Sequence, residues 1–351
     1  MELFFLVLLA AAIAFLATPL ARRLALRIGA VDEPDARRVH GAPVPRLGGL
    51  AVAAGVLGSI AVVAAIGGSR TALALSDGAR IAFLLAGTLA IVLVGAVDDV
   101  RGVSPAVKLA VQLLAAGLAL AGGYRVEGMT NPLTGTYVAL GVAGAFLTIL
   151  WVVAVTNAFN LIDGLDGLAA GLGIISGLTL LVIAWIEGRP ETLPFWTVLV
   201  GALAGFLVYN FTPASIFLGD SGSLLVGYLT ALLALQALEK TTVVVLLASV
   251  LAIGLPIADM GLAVVRRTAA GGVRGIFRAD RAHLHHRLLE DVDRSQRRAV
   301  LTLYGLAVGC SAIGIFAALS HSLVNATIAL AAGLVGGLVV RRRVRRAREQ
   351  R

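Results

Sequence analysis

Apolar runs of about 20 residues, the length an α-helix needs to cross the hydrocarbon core of a bilayer, recur along almost the whole chain and exclude most other architectures. Bounded by Gly, Pro and charge, they fall at about 3–21, 47–67, 80–97, 107–123, 137–156, 168–186, 195–211, 222–238, 242–265, 299–319 and 324–340. The sequence therefore predicts an all-α, polytopic integral membrane protein with about eleven transmembrane helices. With 59% hydrophobic and 14% charged residues in 351, the chain lacks the polar surface of a soluble enzyme or a nucleic-acid binder. Its net charge of +9 needs a membrane explanation, and no nucleic acid is expected among its partners. The first run has no basic flank and is too long for the core of a signal peptide, so it is expected to persist as a span. Cys310, the single cysteine, sits in an apolar run and is given no role.

The cations set the orientation. With the N-terminus outside, only Arg70, Arg80, Arg125, Arg189 and Lys240 of the 29 Lys and Arg residues face outward, the bias of the positive-inside rule. An odd number of spans puts the C-terminus inside, where the tail RRRVRRAREQR is expected on anionic headgroups at about 1 kcal/mol per cation. The polar clusters at 31–49, 98–108, 157–166, 217–223 and 266–298 then share the cytoplasmic face of the cell membrane. A transporter needs polar groups near the midplane that open to both faces. One-sided polarity points instead to chemistry at the interface.

The segment 157–171, NAFNLIDGLDGLAAG, is the most telling of these clusters. Asn157, Asn160, Asp163 and Asp166 recur every third residue, so a 3₁₀ turn would stack them in one column and an α-helix would fan them across half its circumference. Such groups at the mouth of a span cost free energy unless a metal, cations or a polyhydroxylated ligand satisfy them. Asp98 and Asp99 close the third span, where the helix dipole is already negative. A divalent cation or Lys108 compensates them, or one of them serves as a base. Lys108 follows a Ser104 cap and a Pro105 start. In FLGDSGSLLVG, a glycine turn opens the eighth span with Ser221 or Ser223 as cap and Asp220 beside backbone N–H groups, a setting for a metal ion that bridges to phosphate. The segment RADRAHLHHRLLEDV lacks zinc-ligand spacing and suits phosphate or sugar contact through histidine and arginine. Arg37, Arg38, His40 and Arg46 form a cationic loop before the second span. Pro256 is expected to kink the ninth, which also carries Asp259.

These residues resemble the polyprenyl-phosphate N-acetylhexosamine-1-phosphate transferases (glycosyltransferase family 4). That family's loops carry, in order, a DD pair, NxxNxxDGxDGLA, GDxGS and a histidine motif. Here these stand at Asp98-Asp99, 157–169, 219–223 and 283–286. PRLGG at 45–49 and DRAHLHHRLL at 280–289 look like the branch that transfers N-acetylglucosamine phosphate for teichoic acid, O-antigen or arabinogalactan linkers. The branch that uses UDP-MurNAc-pentapeptide is expected to show PTMGG and consecutive histidines; here Arg46 replaces the threonine and Leu284 interrupts the run.

The resemblance implies one transmembrane catalytic domain at 1–340 and a basic tail at 341–351. The implied reaction joins UDP-GlcNAc and polyprenyl phosphate into polyprenyl-diphospho-GlcNAc, releasing UMP, with Mg2+ as cofactor and Mn2+ able to replace it. It also implies Asp220 and Asp99 as metal ligands, with Asp98 the preferred base. Asp98, Asp99, Lys108, Asp220, His283, His285 and His286 form the implied catalytic set. Arg46, Asn157, Asn160, Asp163, Asp166, Phe217 and Arg287 are the implied substrate contacts. A homodimer is implied by the family alone. The competing class, a CDP-alcohol phosphatidyltransferase, needs an arginine soon after the DG, and after Asp163-Gly164 none follows.

Overall fold

The computed structural model describes residues 1–33, 43–130, 134, 136–237, 243–275, 288, 295–320, 324–325 and 327. Among these, twelve α-helices run as α1 Glu2–Ile28, α2 Gly48–Ala65, α3 Ser69–Ala74, α4 Gly78–Arg101, α5 Pro105–Ala121, α6 Gly141–Ile162, α7 Leu168–Ile186, α8 Leu193–Asn210, α9 Gly219–Ala237, α10 Val243–Ala252, α11 Gly254–Gly275 and α12 Gln296–Ser320. Among the described residues, seven helical stretches are long and apolar enough to span a membrane: α1, α2, α4, α6, α7, Pro190–Asn210 with α8, and α12. The 17-residue α5 is shorter. The expected span at 324–340 lies almost wholly outside the described residues.

Three local features depart from the expectation. The span expected at 242–265 is broken at Ile253, between α10 and α11, where Gly254 and Pro256 weaken the helical ladder. The span expected at 137–156 begins at Gly141 and runs on to Ile162, because β4 (Tyr137–Ala139) pairs antiparallel with β3 (Gly128–Thr130). At the opposite end, β1 (Val31–Asp32) pairs with β2 (Val44–Pro45), with Val31 opposite Pro45 and Asp32 opposite Val44.

The helices pack through small residues, which let backbones approach where lipid supplies no hydrophobic drive. A Cβ on Gly55 of α2 would lie 2.9 Å from the Ala14 Cβ of α1, and one on Gly201 of α8 would be 3.1 Å from the Ala10 Cβ. Polar side chains within spans bond back to their own helix: Thr18 to the Ala14 carbonyl, Ser59 to Gly55, Thr156 to Val152 and Thr197 to Leu193. The central element is α9, buried at every residue from Ser221 to Gln236. Polar side chains tie it to its neighbours: its own Tyr228 Oη donates to the Ala115 carbonyl of α5 at 3.1 Å, and Trp151 Nε1 of α6 donates to its Ala231 carbonyl at 3.1 Å.

Candidate active site

The C-terminal ends of α4 and α6 meet the N-terminal ends of α2, α5, α7 and α9 at one end of the bundle. Backbone bonds fasten this end: Phe217 N–H donates to the Pro45 carbonyl at 2.8 Å, Gly48 N–H to Phe217 at 3.0 Å and Gly49 N–H to Leu218 at 2.8 Å. A Cβ on Gly49 would collide with the Gly222 backbone, so the α2 and α9 starts touch only because both residues are glycine.

Asp98 and Asp99, adjacent on a helix, diverge by about 100° and take different partners. Asp98 Oδ1 accepts the Val103 N–H at 2.6 Å, just beyond the end of α4, and its Oδ2 lies 3.2 Å from Lys108 Nζ. Asp99 turns inward and is only 4% exposed. Its Oδ1 accepts the Asp220 N–H at 2.8 Å, and its Oδ2 accepts the Ser221 N–H at 3.1 Å and the Ser221 hydroxyl at 2.8 Å. The repulsion expected at the end of α4 is therefore offset by the positive end of α9.

This corrects two expectations for GDSGS. The cap of α9 is Asp99, reaching over from α4, and Ser221 donates to it instead of capping. Two N-terminal amides expected to face a phosphate are bound by that carboxylate. Both Asp99 oxygens thus accept hydrogen bonds from the start of α9 and fasten it to α4. Gly219 makes the contact feasible. Its φ is +71°, and a Cβ there would stand 2.5 Å from Asp99 Oδ2.

Asp220 Oδ2 lies 2.7 Å from Lys108 Nζ, so the lysine bridges Asp98 and Asp220. The two carboxylates are also within hydrogen-bonding reach of one another, and the Asn160 amide reaches Asp220. Asn160 Nδ2 donates as well to Ser223 Oγ at 3.0 Å. Lys108 owes its place to the expected start of α5, where Ser104 Oγ accepts the Val107 N–H at 3.4 Å and Pro105 opens the helix.

Asp163 is the C-cap residue of α6, beyond the last helical residue, Ile162. Burial, and then the Asp220 and Asp99 carboxylates, push its carboxyl well above the usual carboxylate range, while Arg46 acts in the opposite direction. Arg46 is held in turn by Asp32, at 3.5 Å.

The structure thus brings Asp98, Lys108, Asp220, Asn160 and Asp163 together, with Asp99 behind them and Arg46 near Asp163. Two implied substrate contacts have other partners. Asp166 Oδ2 accepts the Ala214 N–H at 2.9 Å and holds the 211–218 loop. Asn157 exchanges hydrogen bonds with Gln112 and donates to the Val153 carbonyl. The segment is neither a 3₁₀ column nor one continuous helix, because α6 ends before Asp163. Phe217 contributes its backbone to the clasp and is half-buried. His283, His285, His286 and Arg287, with Arg37, Arg38 and His40, lie outside the described residues. Sequence reasoning passed over Gln112, Asp32 and Tyr304, whose hydroxyl donates to the Gly167 carbonyl in the turn before α7. A lone amide in an apolar helix one turn past Lys108 was the available signal for Gln112.

Among the described residues, no three His, Cys, Asp or Glu side chains form a metal site by themselves. The donor set still fits a hard divalent cation. Its oxygens come from carboxylates crowded beyond what Lys108 neutralises, and magnesium binds through one or two carboxylates while keeping water and phosphate oxygens.

A helical membrane protein that gathers acids around a lysine where its helix ends converge is built for polar chemistry at a bilayer edge. The model of glycosyl transferase family 4 matches residues 81–238. The chain is 36% identical over 299 residues to the probable undecaprenyl-phosphate N-acetylglucosaminyl 1-phosphate transferase of Bacillus subtilis (strain 168), covering 84% of this chain and 80% of that protein. It is 36% identical over 327 residues to the decaprenyl-phosphate N-acetylglucosaminephosphotransferase of Mycobacterium tuberculosis (strain CDC 1551 / Oshkosh), covering 87% and 80%. With the undecaprenyl-phosphate alpha-N-acetylglucosaminyl 1-phosphate transferase of Escherichia coli (strain K12) it shares 28% over 307 residues, covering 86% and 80%. The chain belongs to glycosyl transferase family 4, as its four ordered motifs implied.

Proposed function

We propose that this protein transfers N-acetylglucosamine 1-phosphate from UDP-GlcNAc to a polyprenyl phosphate. An oxygen of the lipid phosphate attacks the β-phosphorus of the sugar nucleotide. The bond from that phosphorus to the bridging oxygen breaks, its electron pair leaves with UMP, and the sugar remains on a lipid diphosphate. The observation that carries this reading is the Asp98–Lys108–Asp220 bridge at the start of the central helix, in a chain whose relatives bear the names of such transferases.

The attacking phosphate monoester is already largely ionised near neutral pH, so its activation needs charge management more than proton removal. Lys108 supplies a fixed cation between two acids, where it meets phosphate oxygens and restrains Asp220. Asp98, tied to Val103 and Lys108, holds that lysine in place and is the preferred site for any proton transfer. Asp99 fixes the start of α9 and hence the backbone of Asp220. Asp163 and Asn160 line the side toward Arg46, where the nucleotide is assigned. Asp220, with Asp163 or Asp98, would hold magnesium, which neutralises the diphosphate and polarises the breaking bond when bound. The distribution of cations supports a cytoplasmic site, where a soluble sugar nucleotide reaches a lipid that cannot leave the membrane.

The test is UMP release by purified protein with magnesium and polyprenyl phosphate, given either UDP-GlcNAc or UDP-MurNAc-pentapeptide. Release with UDP-GlcNAc alone is expected. Release only with the pentapeptide nucleotide would overturn the sugar assignment but keep the chemistry, and release with neither from folded protein would overturn both.

A further inference from the structure

Gln112 lies on α5 one turn beyond Lys108 and is 2% exposed. An amide this deep in an apolar helix must find partners, since lipid and side-chain hydrocarbon offer none. It finds them in one residue. Gln112 Nε2 donates to Asn157 Oδ1 at 3.4 Å, and Asn157 Nδ2 donates back to Gln112 Oε1 and also to the Val153 carbonyl at 2.8 Å. The result is a reciprocal amide pair between α5 and α6.

This pair sits beneath the site on both helices. Lys108 is four residues before Gln112 on α5, and Asn160 is three residues after Asn157 on α6, so each side chain shares a face with its anchor. Lys108 spans two acids at 3.2 and 2.7 Å, a geometry that a rotation or slide of α5 by an ångström would break. Near the site, α5 begins with three exposed residues, Pro105, Ala106 and Val107, before Lys108, so this stretch packs loosely against its neighbours. The amide pair is the directional contact one turn below Lys108, with the Tyr228 hydroxyl on the Ala115 carbonyl following further along α5.

We infer that Gln112, through its reciprocal amide pair with Asn157, is a positioning residue that sets where Lys108 stands between Asp98 and Asp220. This rests on the proposed transferase reading. It moves Asn157 from substrate contact to scaffold and couples the lysine on α5 to the NxxN segment on α6.

The experiment measures UMP release per UDP-GlcNAc-binding site, so that loss of folded protein is not read as loss of rate. Wild-type turnover with UDP-GlcNAc tests the underlying reading separately. Gln112→Leu, which keeps volume and removes both amide bonds, is expected to lower kcat per site about tenfold with nucleotide affinity within about twofold. In a Lys108→Ala background the same change is expected to cost less than about twofold, because its effect runs through the lysine. The exchange Gln112→Asn with Asn157→Gln restores two facing amides and is expected to recover most of the loss. If Gln112→Leu does not fold, Gln112→Glu and the exchanged pair carry the test. Wild-type turnover in Gln112→Leu, or an equal loss with and without Lys108, would overturn the inference, as would an exchanged pair no better than either single variant.

Discussion

Asp99→Asn separates the two readings of the DD pair. As a cap, Asp99 accepts three hydrogen bonds with two oxygens, from Asp220 N–H, Ser221 N–H and the Ser221 hydroxyl. Asparagine keeps one acceptor and turns an amide N–H toward the other donors, leaving at least one buried donor unpaired at about 1–3 kcal/mol. Loss of the charge at the α9 N-terminus adds up to about 2 kcal/mol in a partly buried setting. The expected destabilisation is about 2–4 kcal/mol, or a fall of roughly 3–5 °C in Tm for a chain of 351 residues. Asp220→Asn is expected to behave in the opposite way. It removes one of two facing acids and leaves Tm within about 2 °C, while turnover falls by about 10² or more, the scale for losing an electrostatic group at the reacting centre. Thermal unfolding in detergent, read beside UMP release on the same samples, gives both quantities. An Asp99→Asn protein as stable as wild type yet inactive would refute the cap reasoning and return Asp99 to the metal or substrate.

Three further outcomes follow from the geometry. The Asp163 carboxyl is raised in the folded state, so it contributes stability that is full below its unfolded value of about 3.9 and is lost as pH rises through the raised one. In cation-free buffer the wild-type Tm should therefore fall more between pH 5 and pH 8 than that of Asp163→Asn, and parallel slopes would contradict this. Gly219→Ala must strain a φ of +71° and press a methyl onto Asp99, so a loss of about tenfold or more in turnover is expected with the protein still inserted. Chelation of divalent cations should abolish UMP release and added magnesium restore it; full activity in chelator would remove the metal from the proposed site.

Seven of the expected spans were legible because bilayer thickness imposes a length, and apolar runs of that length have few other uses. The β1–β2 clasp was not, because two-residue strands carry no alternation to read. Pro256 announced trouble in the ninth span but not that the break falls at Ile253, since a proline is compatible with either a kink or a new helix start. At the site, the residue types and their ordered spacing were legible, and the partners were not. Asp98 and Asp99 are chemically identical in sequence, and only the packing of α4 against α9 decides which acid faces Lys108 and which closes a helix. Asn157 and Asn160 looked equivalent for the same reason, until the interior position of Gln112 claimed one of them.

That division of labour has a physical origin in α9 itself. A helix buried along its length cannot leave its first N–H groups to water, and GDSGS offers only small residues where a larger cap would disturb the glycine contact with α2. The missing acceptor must come from another helix. Asp99 supplies it, and its chain neighbour Asp98 is thereby held within reach of Asp220, with Lys108 between them. The DD pair and GDSGS, far apart in sequence, are in this sense one structural unit: the bond that closes the helix also sets the spacing of the acids, so a change at either motif should register at the other.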